Sequence, residues 1–208
     1  MRYFFLCLLL VSLNAFADDK LETDEMPYSI RLGTGFADYN DLNAILKFDY
    51  NRYEKNLYVI NLDGGWRAGK NIFDTPIDVY LKGGLSYFDE RGWADNIFEV
   101  TLYIKFIWKI DFYGNRIRLG FGEGISFAQD VPYVEQVDAS ESEEKATARL
   151  LNYLDISADI DIGRLTRVDS MRDLYLGYTI KHRSGVKGLY SGVHRGSNYV
   201  MLTLEKNF

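Results

Sequence analysis

This 208-residue chain has one cysteine, three prolines and two histidines, and its basic residues form no cluster. The cysteine is Cys7, so no disulfide can staple the chain that follows it. Two histidines and one distant thiol offer no metal-ligand spacing, and no metal site is indicated. The 24 basic residues are outnumbered by 30 acidic ones, a net charge of −6. Without a basic patch, that balance argues against nucleic-acid binding. Few prolines beside 16 Tyr, 13 Phe and 3 Trp argue against a disordered chain. Past residue 17 no apolar run approaches the ~20 residues of a membrane-spanning helix, which excludes a helical bundle. Gly33-x-Gly35 and Gly120-x-Gly122-x-Gly124 open no helix, so they do not make a phosphate-binding loop. No nucleotide, redox or other cofactor is expected.

The first residues read as an export signal. Arg2 precedes an apolar run from Tyr3 to Leu13, and Ala15-Phe16-Ala17 matches a small-residue cleavage site. Residues 1–17 are therefore expected to be a cleaved signal peptide. One domain, 18–208, is expected to follow. Cys7 precedes most of the apolar run, which suits no lipoprotein cysteine.

Beyond residue 27 a period of two dominates, the signature of half-buried strands. Tyr28, Ile30, Leu32, Thr34 and Phe36 alternate with Ser29, Arg31, Gly33 and Gly35. Phe98, Val100, Leu102, Ile104, Phe106 and Trp108 alternate with Glu99, Thr101, Tyr103 and Lys105. Similar runs start at residues 44, 58, 77, 117, 154, 173 and 198. Many approach the ~9–11 residues of a transmembrane strand. Soluble sandwiches alternate too. Here, though, most polar faces carry Lys, Arg, Asp or Glu, and aromatics gather near run ends. Both suit a polar lumen and an aromatic girdle. The terminal Phe208 also looks like an outer-membrane assembly signal. The expectation is an all-β, antiparallel transmembrane β-barrel in the bacterial outer membrane, inserted by the outer-membrane assembly machinery.

Nine runs conflict with the even strand number of bacterial outer-membrane barrels. Eight strands are expected, with either 28–37 or 43–51 failing to span; a missed tenth strand is the alternative. Counting back from Phe208 places 184–197, 128–149 and 88–96 outside the cell and 163–172 in the periplasm.

The penultimate run sets Leu174, Leu176, Tyr178 and Ile180 on its lipid face, and the same parity carries His182 and Ser184 there. Side chains two apart on a strand point the same way, ~6.6 Å apart. Asn198, on the last run, falls on the same face at the same height. A hydroxyl, an imidazole and an amide thus converge where polar groups are costly. One reading is a hydrolytic triad: Ser184 as nucleophile, His182 as general base, Asn198 orienting the ring. The other is a set of hydrated polar groups at the rim.

The stretches Ile180-Lys181-His182-Arg183-Ser184-Gly185 and Gly196-Ser197-Asn198-Tyr199 resemble the PagL-type lipid A 3-O-deacylases. These are eight-stranded outer-membrane barrels with a His-x-Ser ending the seventh strand and an acidic residue early in the eighth. Gly122-Glu123-Gly124-Ile125-Ser126, with Pro132-Tyr133-Val134-Glu135, is similar to divergent relatives grouped with them. The resemblance implies removal of an ester-linked acyl chain from lipid A of lipopolysaccharide in the outer leaflet. Two departures stand out. Asn198 occupies the place of the family's Glu, and Gly185-Val186 follows the serine where the family usually has Asn-Ala. An amide can orient an imidazole but cannot offset its positive charge. The backbone N–H groups of Gly185 and Gly188 are the expected oxyanion donors, since glycine permits close approach. Arg183, Lys187 and Arg195 are candidates to grip the lipid A phosphates, against ordinary surface charge.

Glu123 faces outward by parity, two strands from His182, and Glu135 lies in a loop; each is a remote candidate for the missing acid. Asp138, Glu141, Glu143 and Glu144 either bridge divalent ions to lipopolysaccharide or form a solvated loop. His194 reads as a loop residue. The leading functional expectation is a lipid A deacylase-like serine esterase. Its rivals are a non-catalytic outer-membrane barrel, with an adhesion or envelope role, and a soluble periplasmic lipid-binding barrel.

Overall fold

A computed structural model describes residues 26–141 and 145–208; the expected signal peptide and its cleavage site lie outside them. Eight antiparallel strands close into one barrel. They are β1 Tyr28–Asp38, β2 Tyr58–Gly69, β3 Ile77–Asp89, β4 Ile97–Phe112, β5 Asn115–Ala128, β6 Leu150–Asp161, β7 Leu174–Ser184 and β8 Gly196–Asn207. Each pairs with the next in sequence, and β1 pairs with β8 to close the ring. Closure leaves no sheet edge, so every strand finds two neighbours for its backbone groups.

Of the nine alternating runs, the one at 44–50 makes no strand. Asp41 caps a helical turn there, α1 (Leu42–Ile45), its carboxylate accepting from the Ala44 N–H at 2.9 Å. Phe48 then adopts a left-handed φ of 63°, which no strand residue tolerates. Alternation of apolar residues is present, but the cap and the turn override it.

The connections 39–57, 90–96, 129–149 and 185–195 leave one end of the barrel, and 70–76, 113–114 and 162–173 leave the other. The barrel is inside out relative to a soluble one. Leu32, Leu62, Leu102 and Leu202 stand exposed on its outer wall, while Arg31, Lys82, Lys105 and Arg118 are buried in the lumen. That is the arrangement of a membrane-spanning barrel. It overturns the soluble lipid-binding alternative, which would keep its apolar faces inside.

Lumenal charges meet in one network. Arg31 donates to Asp63 at 2.8 Å, to Asp155 and to the Tyr103 hydroxyl at 2.9 Å. Lys105 reaches Asp155 at 2.6 Å, and Lys82 bridges Glu205 at 2.6 Å and Asp63 at 3.0 Å. Arg118 grips Asp159 through two nitrogens, at 2.7 and 2.9 Å, and reaches Glu205 at 3.2 Å. Removing one partner of such a buried pair costs about 3–5 kcal/mol, because the other is stranded. Gly120 makes room for the network: a Cβ there would come within 2.5 Å of Lys105 Cε.

The long-loop end of the lumen is sealed by a second layer. Ala37, Val59, Phe88, Ile97, Tyr199 and Met201 pack with Tyr53 and Leu57 of the first connection. The helix α2 (Tyr133–Glu141) adds Val134 to this cap. Glu90, one residue past β3, is buried beneath α2 and accepts from the Tyr133 N–H at 3.1 Å. Burial pushes its carboxyl up to about 7; Glu135 and Asp89 push the same way, and the Tyr133 bond opposes them. An acid with a raised pKa holds a proton in the folded state that the open state releases. Docking of α2 is therefore tightest at acidic pH and weakens as pH rises through 7. Hydrogen exchange of the α2 amides, corrected for intrinsic rates, should accelerate between pH 5 and 8. Glu90→Gln should flatten that dependence, and a flat profile in the parent would refute it.

Candidate active site

Strand register brings distant polar residues into adjacent rows on the outer wall. One row runs Leu154, His182, Asn198, Asp38 across β6, β7, β8 and β1. The next runs Asn152, Ser184, Gly196. His182, Ser184 and Asn198 thus share the outward face that their parity in the sequence predicts.

Asn198 Oδ1 lies 2.7 Å from His182 Nδ1. The other end of the same amide, Nδ2, donates to the Asn40 carbonyl at 2.9 Å. That second bond fixes the amide's orientation. Its oxygen faces the ring, so Nδ1 carries the hydrogen and Nε2 is the unprotonated nitrogen of the neutral imidazole; the ring also meets the Ser197 backbone. An Asp at this position would set a carboxylate oxygen against the Asn40 carbonyl oxygen. The amide is therefore the side chain that satisfies both neighbours. Asp38, next in the row, is spoken for: its carboxylate accepts from the N–H groups of Asn40 at 2.9 Å and Asn51 at 3.1 Å.

Ser184 Oγ accepts from the Val186 N–H at 3.1 Å. Among the described residues, no hydrogen bond joins it to the His182 ring. Val186 and Lys187 have left-handed φ values of 49° and 52°, and Gly188 follows at 89°. A β-branched residue at positive φ is strained. Here the strain turns the chain so that the Val186 N–H meets the serine oxygen.

Three expectations need correction. The Gly185 N–H donates to the Arg195 carbonyl at 3.1 Å and the Gly188 N–H to the Val193 carbonyl at 2.9 Å. Neither is open to an oxyanion, because both close the 185–195 loop. Arg183 does not reach the membrane surface. It has the opposite parity to Ser184 and lies fully buried in the lumen. There it pairs with Glu135 at 2.7 Å and Glu99 at 3.2 Å, and also donates to Ser126. That pairing removes Glu135 from contention as the missing acid. It accepts from Ser197 at 2.7 Å as well, and pins α2 into the barrel mouth. Lys187 and Arg195 remain exposed beside the site. Glu123 faces outward in the His182 row, but Leu154 stands between them.

Of the acidic loop, Glu141 accepts from the Tyr39 hydroxyl at 3.1 Å; Glu143 and Glu144 lie outside the described residues. Among the described residues no group of three or more His, Cys, Asp or Glu is placed to hold a metal ion. His194 belongs to the 185–195 loop, with its ring against Gly188.

The barrel resembles solved structures. The outer membrane enzyme PagL superposes with a TM-score of 0.58 at 12% identity, over 86% of this chain and 99% of that one. The N-terminal β-barrel domain of Pseudomonas aeruginosa OprF gives 0.41 at 12% identity, over 88% and 98%. At such identity the likeness to PagL shows the fold. No family model and no curated protein matches the chain.

Two neighbours of the site were missed in the sequence. Asn152 is Ser184's cross-strand partner, largely buried on the outward wall. Its outward parity was legible, since Leu154 and Ile156 define the same face, but its pairing with Ser184 was not. Asn40 carried no signal, because its contribution is a backbone carbonyl. The 185–195 loop is tightly closed: a Cβ on Gly185 would sit 1.9 Å from the Val193 carbonyl oxygen. Gly185→Ala should therefore spring this loop open while the barrel stays folded. Tryptic cleavage after Lys187 should speed up with no change in the gel shift between folded and heated protein. Equal cleavage of parent and variant would contradict the close approach.

Proposed function

We propose that this protein is an esterase of the bacterial outer membrane that removes an ester-linked acyl chain from lipid A of lipopolysaccharide. The observation that carries the reading is the oriented Asn198–His182 pair at 2.7 Å on the lipid-facing wall, with Ser184 next on the same face. The likeness to a barrel described as an outer membrane enzyme and the His-x-Ser resemblance support it.

In this reading an acyl chain lies along the outer wall with its ester beside Ser184. Ser184 Oγ attacks the carbonyl carbon and its proton passes to His182 Nε2. Asn198 holds the ring in the tautomer that can accept it. The tetrahedral oxyanion takes hydrogen bonds from the Asn152 side-chain amide and from the Val186 N–H, which turns from Ser184 Oγ as that oxygen bonds the carbonyl carbon, in place of the glycine donors. Collapse breaks the ester bond, and the His182 proton goes to the departing sugar hydroxyl. Water, deprotonated by His182, then cleaves the acyl-enzyme and releases the fatty acid. Lys187 and Arg195, both exposed, meet lipid phosphates in this reading. An amide in place of a carboxylate leaves the imidazolium without a counter-charge, so turnover is slow.

A second reading, a non-catalytic barrel, is favoured by the absence of a Ser184–His182 hydrogen bond and by the missing acid. A phosphonate probe that esterifies activated serines separates the two: labelling at Ser184, lost in His182→Ala, excludes the non-catalytic barrel. Mass spectra of lipid A from a Gram-negative host should show loss of one acyl chain with the parent protein. Neither Ser184→Ala nor His182→Ala should cause that loss. Lipid A left unchanged by folded, membrane-inserted parent counts against the substrate. Asn152→Leu should lower kcat by ~10²–10³ with little change in KM, the loss expected of one oxyanion donor.

A further inference from the structure

The first part of the connection between β1 and β2 lies against the outside of the barrel, before the chain turns in at Tyr53 and Leu57. Its Ile45 is buried against Ile180 and Val200, two residues that point outward from β7 and β8. Outward residues elsewhere, such as Leu102 at 53% exposure, stand free, whereas Ile180 is only 2% exposed. The connection thus covers a patch of wall that lipid covers everywhere else. Local bonds hold it there. The Tyr39 N–H donates to the Asn51 carbonyl at 2.8 Å, and Asn40 Nδ2 to the Asp49 carbonyl at 3.0 Å.

What this strap presents in turn is apolar. Leu46, Phe48 and Tyr50 are exposed on it, with Phe48 77% exposed, and the Tyr50 ring also lies 6.1 Å from that of Tyr178 on the wall. Lys47 and Asp49 alternate with them. Apolar and charged side chains on a short segment lying against a lipid-facing wall match the membrane interface, where rings enter the acyl region and charges reach the headgroups. In water, such a patch would be an unrelieved cost.

We infer that residues 39–51 form a strap seated in the membrane interface, with Leu46, Phe48 and Tyr50 in contact with lipid acyl chains beside the His182 row. The occupant is the acyl layer of the leaflet that bathes this end of the barrel, because the strap is continuous with the lipid-facing wall and replaces lipid on it. The inference rests on the membrane-spanning fold and not on catalysis. It adds one consequence for the site. The strap closes the β8–β1 side of the His182 row, and Ile156 packs against the cluster it covers, so a lipid chain reaches Ser184 from the β6 side, past Leu154.

The chain's single cysteine makes the test direct. In a Cys7→Ser background, nitroxide labels are placed on Leu46→Cys, Phe48→Cys and Tyr50→Cys in the full chain, folded into phospholipid vesicles. Leu102→Cys serves as the lipid reference and Asp95→Cys, exposed in the 90–96 connection, as the water reference. The ratio of oxygen to nickel-chelate collision rates is read by electron paramagnetic resonance. Ratios at 46, 48 and 50 close to that at 102 are expected. Ratios at all three matching that at 95 would overturn the inference. Both outcomes are independent of whether the protein hydrolyses anything, so loss of the esterase reading leaves this one standing.

Discussion

Arg31 and Asp155 meet in the middle of the lumen, and the rest of the barrel is organised by the need to keep them paired. Arg31 comes from β1 and Asp155 from β6; Arg31's further partners Asp63, Tyr103 and Thr179 come from β2, β4 and β7, and Asp155's partner Lys105 from β4. A one-residue slip of any strand would turn its lumenal charge into lipid and leave an opposite charge unpaired inside. The network therefore enforces register around the whole ring. Register in turn decides which side chains become neighbours on the outer wall, where the candidate site lies.

The outer wall obeys the complementary constraint. A polar group there must have a partner or be hydrated. Asn198 meets the rule twice over, through His182 and through the Asn40 carbonyl. Asp38 meets it through backbone N–H groups of the strap. The strap is thus a chemical part of the site as well as a cover. It supplies the acceptor that makes an amide, rather than a carboxylate, the fitting residue beside the histidine. The position faces a donor on one side and an acceptor on the other, and an amide satisfies both.

The lumen's upper layer serves a different end. Arg183, adjacent in sequence to both His182 and Ser184, faces away from them and anchors α2 through Glu135. One strand segment therefore divides its work by parity. Its outward residues carry the candidate chemistry, and its inward residue plugs the barrel. Because the plug and the site share a backbone, the strain at Val186 and Lys187 begins where the lumenal anchor ends.

Sequence alone determined what depends on a period of two. The alternation separates lumen from lipid in all eight strands, and it puts His182, Ser184 and Asn198 on one face. A strand's parity needs no knowledge of its partners. It also misled at 44–50, where the same alternation lies in a capped turn and a loop. Everything that depends on contacts between distant segments was decided by the tertiary structure. Cross-strand register set Asn152 beside Ser184. A loop carbonyl more than 150 residues from Asn198 in sequence oriented its amide. Glu135 entered the lumen because Arg183 waited there, and the N–H groups of Gly185 and Gly188 were consumed by carbonyls across their own loop. Hydrogen bonds of this kind are satisfied by geometry, and geometry is fixed only once the barrel closes.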